Sequence, residues 1–248
     1  MATIDPGLAG RKILVTGASR GIGAAAARAF ANAGAHLALH YNSEPGEANA
    51  IVHSCLLQGD FTRMADVARV VEEAIDHLGG LDILVNNAGH MVARIPLDGM
   101  RDADIDAVFD LNARSVVVAC RQALPALAAS RGAIINVTSI SARAGGSAGS
   151  SLYAASKGFV STFTRSLATE LAPQGIRVNA VSPGTIDTYF HEVYSSAEKL
   201  EATRKRIPLR RLGTGDDCAG AFLYLASPTL GGYLTGQIIE VNGGSLMP

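Results

Sequence analysis

One stretch constrains this chain more than any other: KILVTGASRGIG at residues 12–23, running into AAAARAFANAG. Ile13, Leu14 and Val15 make the continuous apolar run of a strand buried on both faces, and the alanine-rich segment reads as a helix that Gly34 terminates. Between them stand Gly17, Gly21 and Gly23. Small residues at a strand-to-helix turn let the backbone come close to a pyrophosphate, which would rest on the positive end of the helix. A glycine triplet alone is weak, and its meaning comes from the strand before it and the helix after it. A tight turn with no ligand stays open as the alternative at this point.

The same alternation continues to the end of the chain. AHLALH (35–40) and HSCLLQGD (53–60) read as strands, and MADVARVVEEAIDHLG places Val67, Val70, Val71, Ala74, Ile75 and Leu78 at helical spacing. LDILVNNAG (81–89) is a strand entering a loop, and a helical region covers about 104–129. GAIINVTS (132–139), the helix holding Tyr153 and Lys157, IRVNAVSPG (176–184), TGDDCAGAFLYLAS and GQIIEVNGG follow. Thr214 with Asp217 three residues on is a capping-box pattern. Seven strands alternating with helices predict an α/β fold, a doubly wound parallel sheet with helices on both faces, in one domain over 1–248. The stretch 41–60 leaves room for only a turn or two of helix between the second and third strands.

Composition narrows the classes of function. Apolar residues are 48% and charged residues 17% of 248, a globular balance, and a net charge of -1 offers no field for nucleic acid or anionic lipid. Cys55, Cys120 and Cys218 lack CxxC spacing, which fits a reducing compartment, and none of the six histidines has metal-ligand spacing. His191-Glu192 lacks the second histidine of a zinc motif, so no metal is expected. No apolar run approaches the ~18 residues of a membrane span, and MATIDPGLAGRK has no signal core, so a cytoplasmic location is expected.

SLYAASKGF (151–159) sets Tyr153 and Lys157 one helical turn apart on one face. On its own that spacing describes an ordinary solvated amphipathic turn. It gains a purpose if a carbonyl must exchange a proton at its oxygen, because a free phenol, with a pKa of roughly 10, is a poor base near neutrality. A nearby ammonium favours the phenolate and lowers that pKa, as would an oxidised nicotinamide.

Together these motifs resemble the short-chain dehydrogenase/reductase family, and the resemblance covers essentially the whole chain. TGASRGIG, spaced G-x-x-x-G-x-G, is similar to its cofactor turn, implying that Gly17, Ser19, Arg20, Gly21, Ile22 and Gly23 hold a dinucleotide. NNAG implies the same of Asn87, Ala88 and Gly89 beside the adenosine, and QGDF of Asp60 and Phe61 near the adenine, although Asp60 would also serve as a simple cap. Asn112 stands where the family keeps a helix-breaking catalytic asparagine that positions a water for Lys157; its alternative is an exposed surface residue. Ser139, Tyr153 and Lys157 match the family's catalytic serine, tyrosine and lysine, with Ser139 on the substrate oxygen and Lys157 also on the nicotinamide ribose. In PGTIDT, Pro183, Gly184, backbone at Ile186 and the Thr188 hydroxyl would hold the carboxamide. The implied fold is of the Rossmann type and the implied assembly a homotetramer.

The second strand ends near Tyr41 with no acid for a ribose 2'-hydroxyl; Asn42 and Ser43 follow, and Arg20 lies in the glycine turn. This favours NADP(H) over NAD(H), with Glu44 and Glu47 arguing the other way unless they face solvent. The segment 187–213 is expected to cover the substrate, with Ser141, Tyr189, Phe190 and Val193, and also Tyr194, lining an apolar pocket for a hydrophobic carbonyl or alcohol. The equal alternative is that these aromatic residues pack the segment onto the body. RKRIPLRR is read as a solvated face balanced by Glu192, Glu198 and Glu201 rather than a dock for an acidic carrier protein. The expected activity is ketone–alcohol interconversion with Tyr153 as acid or base. Open alternatives are 3-oxoacyl-carrier-protein reduction, NAD-linked polyol or sugar oxidation, and a catalytically silent dinucleotide sensor, the last disfavoured by an intact Ser139, Tyr153 and Lys157.

Overall fold

The computed structural model describes residues 5–247, except the side chains of His191 and Glu192. Among these residues, β1 (Lys12–Val15), β2 (His36–Tyr41), β3 (Ser54–Gln58), β4 (Ile83–Asn86), β5 (Ala133–Val137), β6 (Arg177–Pro183) and β7 (Ile238–Val241) form one parallel sheet. Their order is β3-β2-β1-β4-β5-β6-β7. The helices are α1 (Gly21–Asn32), α2 (Met64–Leu78), α3 (Asp102–Phe109), α4 (Ser115–Ser130), α5 (Ser141–Ala144), α6 (Ser151–Leu171), α7 (Tyr189–Tyr194), α8 (Ala197–Arg206) and α9 (Gly215–Ala226). The doubly wound parallel sheet expected from the sequence is the fold observed.

Each strand is apolar throughout because its neighbouring residues serve different layers. Leu14, Ala38, Leu84 and Ile134 face the core built by α2, α4 and α6, with Val67, Val71, Ala123, Leu127 and Val160. Ile13, Val15, Leu37, Leu39, Ile83, Val85 and Ile135 face the opposite core, under α1 and α9, with Phe30, Cys218 and Phe222. Gly34, at φ +79, ends α1 as expected, and Thr214 and Asp217 cap α9 reciprocally. β2 and β3 are joined by a single 3-10 stretch, Gly46–Ala50.

The order reverses between β1 and β4, whose register pairs Val15 with Val85. Helices leave such a switch point on opposite faces, so a crevice opens beyond the carboxyl ends of β1 and β4. A cavity of ≈ 750 Å³ lies there, lined by Gly17, Asn87, Ser139, Tyr153 and Ile186 among others. No described helix is long and apolar enough to cross a membrane.

Candidate active site

The glycine turn forms one wall. Gly17 and Gly21 adopt φ +66 and +59, a region side-chained residues rarely enter. A Cβ on Gly23 would stand 2.2 Å from the Gly17 oxygen and 2.5 Å from Asn87 Nδ2, so only glycine lets α1 start this close to β4. The first turn of α1 has no side-chain cap and no acidic residue, unlike α9. Its N–H groups therefore remain available to an anion, which is what a pyrophosphate site requires. Ser19 and Ile22 line the same wall.

Two residues that sequence reasoning missed hold this wall in place. The Thr16 hydroxyl accepts the N–H groups of Asn87 and Ala88, each at 3.0 Å, while Asn87 Nδ2 donates to the Thr16 and Gly17 oxygens at 2.9 Å. His40, buried in β2, accepts the Gly17 N–H on Nδ1 at 3.1 Å, and its Nε2 lies 3.0 Å from the Gly59 oxygen. With Nδ1 accepting, the proton belongs on Nε2, which donates to Gly59. Its ring stacks on Phe61 at 3.7 Å. Burial lowers the His40 pKa to about 4, so the neutral ring this geometry needs is the stable form at neutral pH. A single histidine in a strand carries no local signal of such a role; Thr16 had one, standing directly before the glycine turn.

The opposite wall carries the candidate reacting groups. Lys157, 4% exposed, donates from Nζ to the Val137 oxygen at 2.9 Å, and the same atom lies 5.8 Å from the Tyr153 ring centroid. The solvated-turn alternative for this pair is thereby excluded. In the free protein the phenol moves against the direction expected from the Lys157 ammonium: burial dominates and pushes it up to about 12, with a hydrogen bond involving Ser139 only partly offsetting it. Burial also lowers Lys157 to about 8. Ser139 stands two residues past the end of β5, and its Oγ accepts the Ser141 N–H at 3.1 Å.

Asn112 is fully buried, not on the surface, in a π-helical turn (110–114) between α3 and α4. Its Nδ2 donates to the His90 and Val108 oxygens, each at 2.9 Å, and the bond to Val108 diverts the carbonyl of its own helix. Its Oδ1 is buried with no hydrogen-bond partner among the described residues, an acceptor left ready for a donor such as water. A Cβ on Gly89 would meet that Oδ1 at 2.6 Å and Lys157 Nζ at 3.2 Å. Gly89 thus lets the asparagine and the ammonium reach one spot. Sequence reasoning also missed His90, whose Nδ1 accepts the Val92 N–H.

Around the rim, Pro183, Gly184, Ile186 and Thr188 line the cavity, and the Thr188 methyl packs where a Gly21 Cβ would point. On the adenosine side, Asn42, Ser43 and Glu44 are exposed cavity residues. Asp60 lines the cavity too, but its Oδ1 accepts the Thr62 N–H and hydroxyl at 2.9 and 2.8 Å, which realises the cap alternative. Glu47 pairs with Arg28. Arg20 does not reach toward Asn42: its guanidinium stacks 4.3 Å over the Tyr189 ring.

Residues 187–212 leave the body and return at one place, where Ile186 bridges Gly213. Within this excursion the Phe190 ring lies 5.5 Å from Tyr153 and 5.1 Å from Tyr194, while Tyr189 and Val193 are about half exposed. The basic run is divided rather than balanced as expected. Arg204 and Lys205 pair with Glu201, and Arg211 pairs with Asp217; Glu198 joins none of these pairs, and the Glu192 side chain lies outside the described residues.

Residues 17–245 match the family model described as Enoyl-(Acyl carrier protein) reductase. The chain is 38% identical over 246 residues to 3-oxoacyl-[acyl-carrier-protein] reductase FabG of Staphylococcus aureus (strain N315), covering 96% of this chain and 98% of that protein. The solved structure of a short chain dehydrogenase from Burkholderia cenocepacia J2315 in complex with NADP superposes with TM-score 0.88 at 36% identity, covering 96% of this chain and 98% of that one. An NADH-dependent reductase A1-R' responsible for alginate metabolism superposes with TM-score 0.90 at 35% identity, covering 97% and 99%.

Proposed function

The chain belongs to the short-chain dehydrogenase/reductase family of oxidoreductases, and from that premise we propose that it interconverts a ketone and a secondary alcohol, using NADP(H) in preference to NAD(H). The observation that carries the reading is the convergence of Ser139, Tyr153 and a buried Lys157 on the crevice at the β1–β4 switch point.

Bound dinucleotide would supply the acceptor or donor of the electron pair at its nicotinamide. The chain's residues do the rest. The bare α1 N-terminus, Gly17 and Gly21 would cradle the pyrophosphate, and Lys157 the ribose. Ser139 would donate to the substrate oxygen. The Tyr153 hydroxyl would give its proton to that oxygen in reduction and take it back in oxidation. A phenol held near 12 is a poor base, so the ammonium of Lys157, together with the positive charge of the oxidised cofactor, has to bring it down during turnover. The orphaned Asn112 Oδ1 would hold a water for Lys157, giving the proton a way out.

The NADP(H) preference is supported by the absence of an acid at the end of β2 and by Glu47 being neutralised by Arg28. Arg20 would have to leave Tyr189 to meet a 2'-phosphate. Arg20→Ala should raise the KM for NADPH about tenfold and leave that for NADH nearly unmoved; equal effects on both would sink the assignment. The names of the relatives favour a second reading, 3-oxoacyl-carrier-protein reduction, although Gln174 puts no charge on the surface where some carrier-protein reductases have a basic residue.

The test is Tyr153→Phe, assayed across a panel of ketones and an acyl carrier substrate. Turnover should fall by about 10² to 10⁴ while NADPH binding, followed by nicotinamide fluorescence, survives. Unchanged turnover would show that the phenol is not the acid.

A further inference from the structure

Beyond the reacting groups, two cations in the cavity wall point at the same neutral atom. Arg94, on the loop after β4, donates from Nη1 to the Ser147 hydroxyl oxygen at 2.8 Å, and Lys199 of α8 donates from Nζ to that same oxygen at 3.2 Å. Arg206, on the last turn of α8, lines the cavity beside them. None of the described ion pairs includes Arg94, Lys199 or Arg206; the acid nearest in sequence that does pair, Glu201, is taken by Arg204 and Lys205. A serine hydroxyl shared by two cations carries no charge to offset their mutual repulsion, and the other oxygens that Arg94 reaches are neutral backbone carbonyls. Lys199 registers that repulsion: burial, Arg94 and Arg206 all hold its pKa below the ordinary lysine value.

This cluster is built rather than incidental. Arg94 Nε donates to the Tyr194 oxygen at 2.8 Å and Nη1 also to the Ala148 oxygen at 3.2 Å, which ties α7 to the loop before α6. The Tyr194 hydroxyl in turn donates to the Val92 oxygen at 3.2 Å. Among the described residues the fork's Nη2 makes no hydrogen bond, and Lys199 has two further protons to give. The path from the reacting phenol to the cluster runs along aromatic rings, Tyr153 to Phe190 to Tyr194, with steps of 5.5 and 5.1 Å.

We propose that the substrate is a small carbonyl compound with a terminal oxyanion, carboxylate or phosphate, held by Arg94 and Lys199 with Arg206 at the mouth, its carbonyl lying at Ser139 and Tyr153. This rests on the proposed reading of Tyr153 as the acid. It refines the expectation of a hydrophobic substrate: the rings accommodate the middle of the molecule, and the cations take its far end. The same side chains make Ser147 a specificity residue, because it holds the place of one anion oxygen.

The experiment compares kcat/KM with NADPH for a series of keto acids, their methyl esters and the corresponding keto phosphates, in the wild type, Lys199→Gln and Lys199→Arg. Calorimetry of each acid on the NADP⁺-loaded protein reads binding independently of turnover. The wild type should prefer acid or phosphate over ester by about tenfold to a hundredfold, the range of a hydrogen bond to a charged group. Lys199→Gln should lower kcat/KM for the anionic compounds about tenfold more than for the esters, chiefly through KM, and Lys199→Arg should restore the preference. A phosphate favoured over a carboxylate, or the reverse, identifies the oxyanion. Equal use of acid and ester, absence of acid binding by calorimetry, or activity with acyl carrier protein alone would overturn the proposal. Tyr153-dependent reduction of the neutral esters in that event would leave the proposed reaction standing, whereas carbonyl turnover that survives Tyr153→Phe would remove the reaction itself.

Discussion

The glycine turn and the 187–212 excursion line one cavity and meet where Arg20 stacks on Tyr189, yet they are built in opposite ways. In the turn, the backbone is fixed from several directions: Gly17 gives its N–H to His40 and its oxygen to Asn87, and Thr16 pins the next loop with one hydroxyl. In the excursion, Tyr189 and Val193 stand about half exposed and Ile207 is the one buried side chain among the described residues; much of the rest of its attachment is polar, through Arg94, Lys199, the Tyr194 hydroxyl, the Leu209 N–H on the Gly243 oxygen and the Arg211–Asp217 pair. The rigid side suits an invariant ligand whose reactive atom must be placed accurately, because misplacement costs rate. The loosely held side suits a group that must enter and leave, and segments with few buried apolar contacts open most readily. Precision and access are thus separated in space.

The largest contrast is expected from one small side-chain change on each side. Gly23→Ala drives a Cβ to 2.2 Å from a backbone oxygen, so the turn must shift; dinucleotide binding should be lost and unfolding should move by about 1–3 kcal/mol. Val193→Ala, on the excursion, should stay within about 0.5 kcal/mol. Urea unfolding of both variants checks this, and equal losses would break the contrast.

A smaller effect follows from His40. Its folded pKa lies near 4, against 6.5 when unfolded, so between those values the unfolded chain binds more protons and stability rises with pH. Over that window the histidine is worth about 3 kcal/mol, absent below pH 4 and complete above pH 6.5. Unfolding of wild type and His40→Gln from pH 4 to 7 should give a difference that grows with pH. A difference independent of pH would show that His40 does not hold the turn as a neutral ring.

How much of this the sequence disclosed depended on whether a signal was local. Ile13, Leu14 and Val15 reveal a doubly covered strand because their pattern needs no partner to be read. Gly17, Gly21 and Gly23 reveal an anion turn for the same reason. Asn112 was placed in the site only by resemblance, since its burial depends on a π turn and on the approach of Gly89. Asp60 was offered as a cofactor residue by resemblance and as a cap by position; it lines the cavity, and its Oδ1 accepts from Thr62 two residues on. His40 meets Gly17 across 23 residues and Lys199 meets Ser147 across 52, contacts that exist only after the sheet and the excursion are assembled. The Tyr153 pKa was misjudged because the charge of Lys157 is visible in sequence and the desolvation around the phenol is not.

On the proposed reading, the half-buried Tyr153 phenol is a poor base until the dinucleotide and Lys157 act on it together. Ultraviolet difference titration of tyrosinate, wild type minus Tyr153→Phe, tests it with and without NADP⁺. The Tyr153 phenol should titrate near 12 in the free protein and clearly lower with NADP⁺ bound. The same midpoint in both states would contradict it.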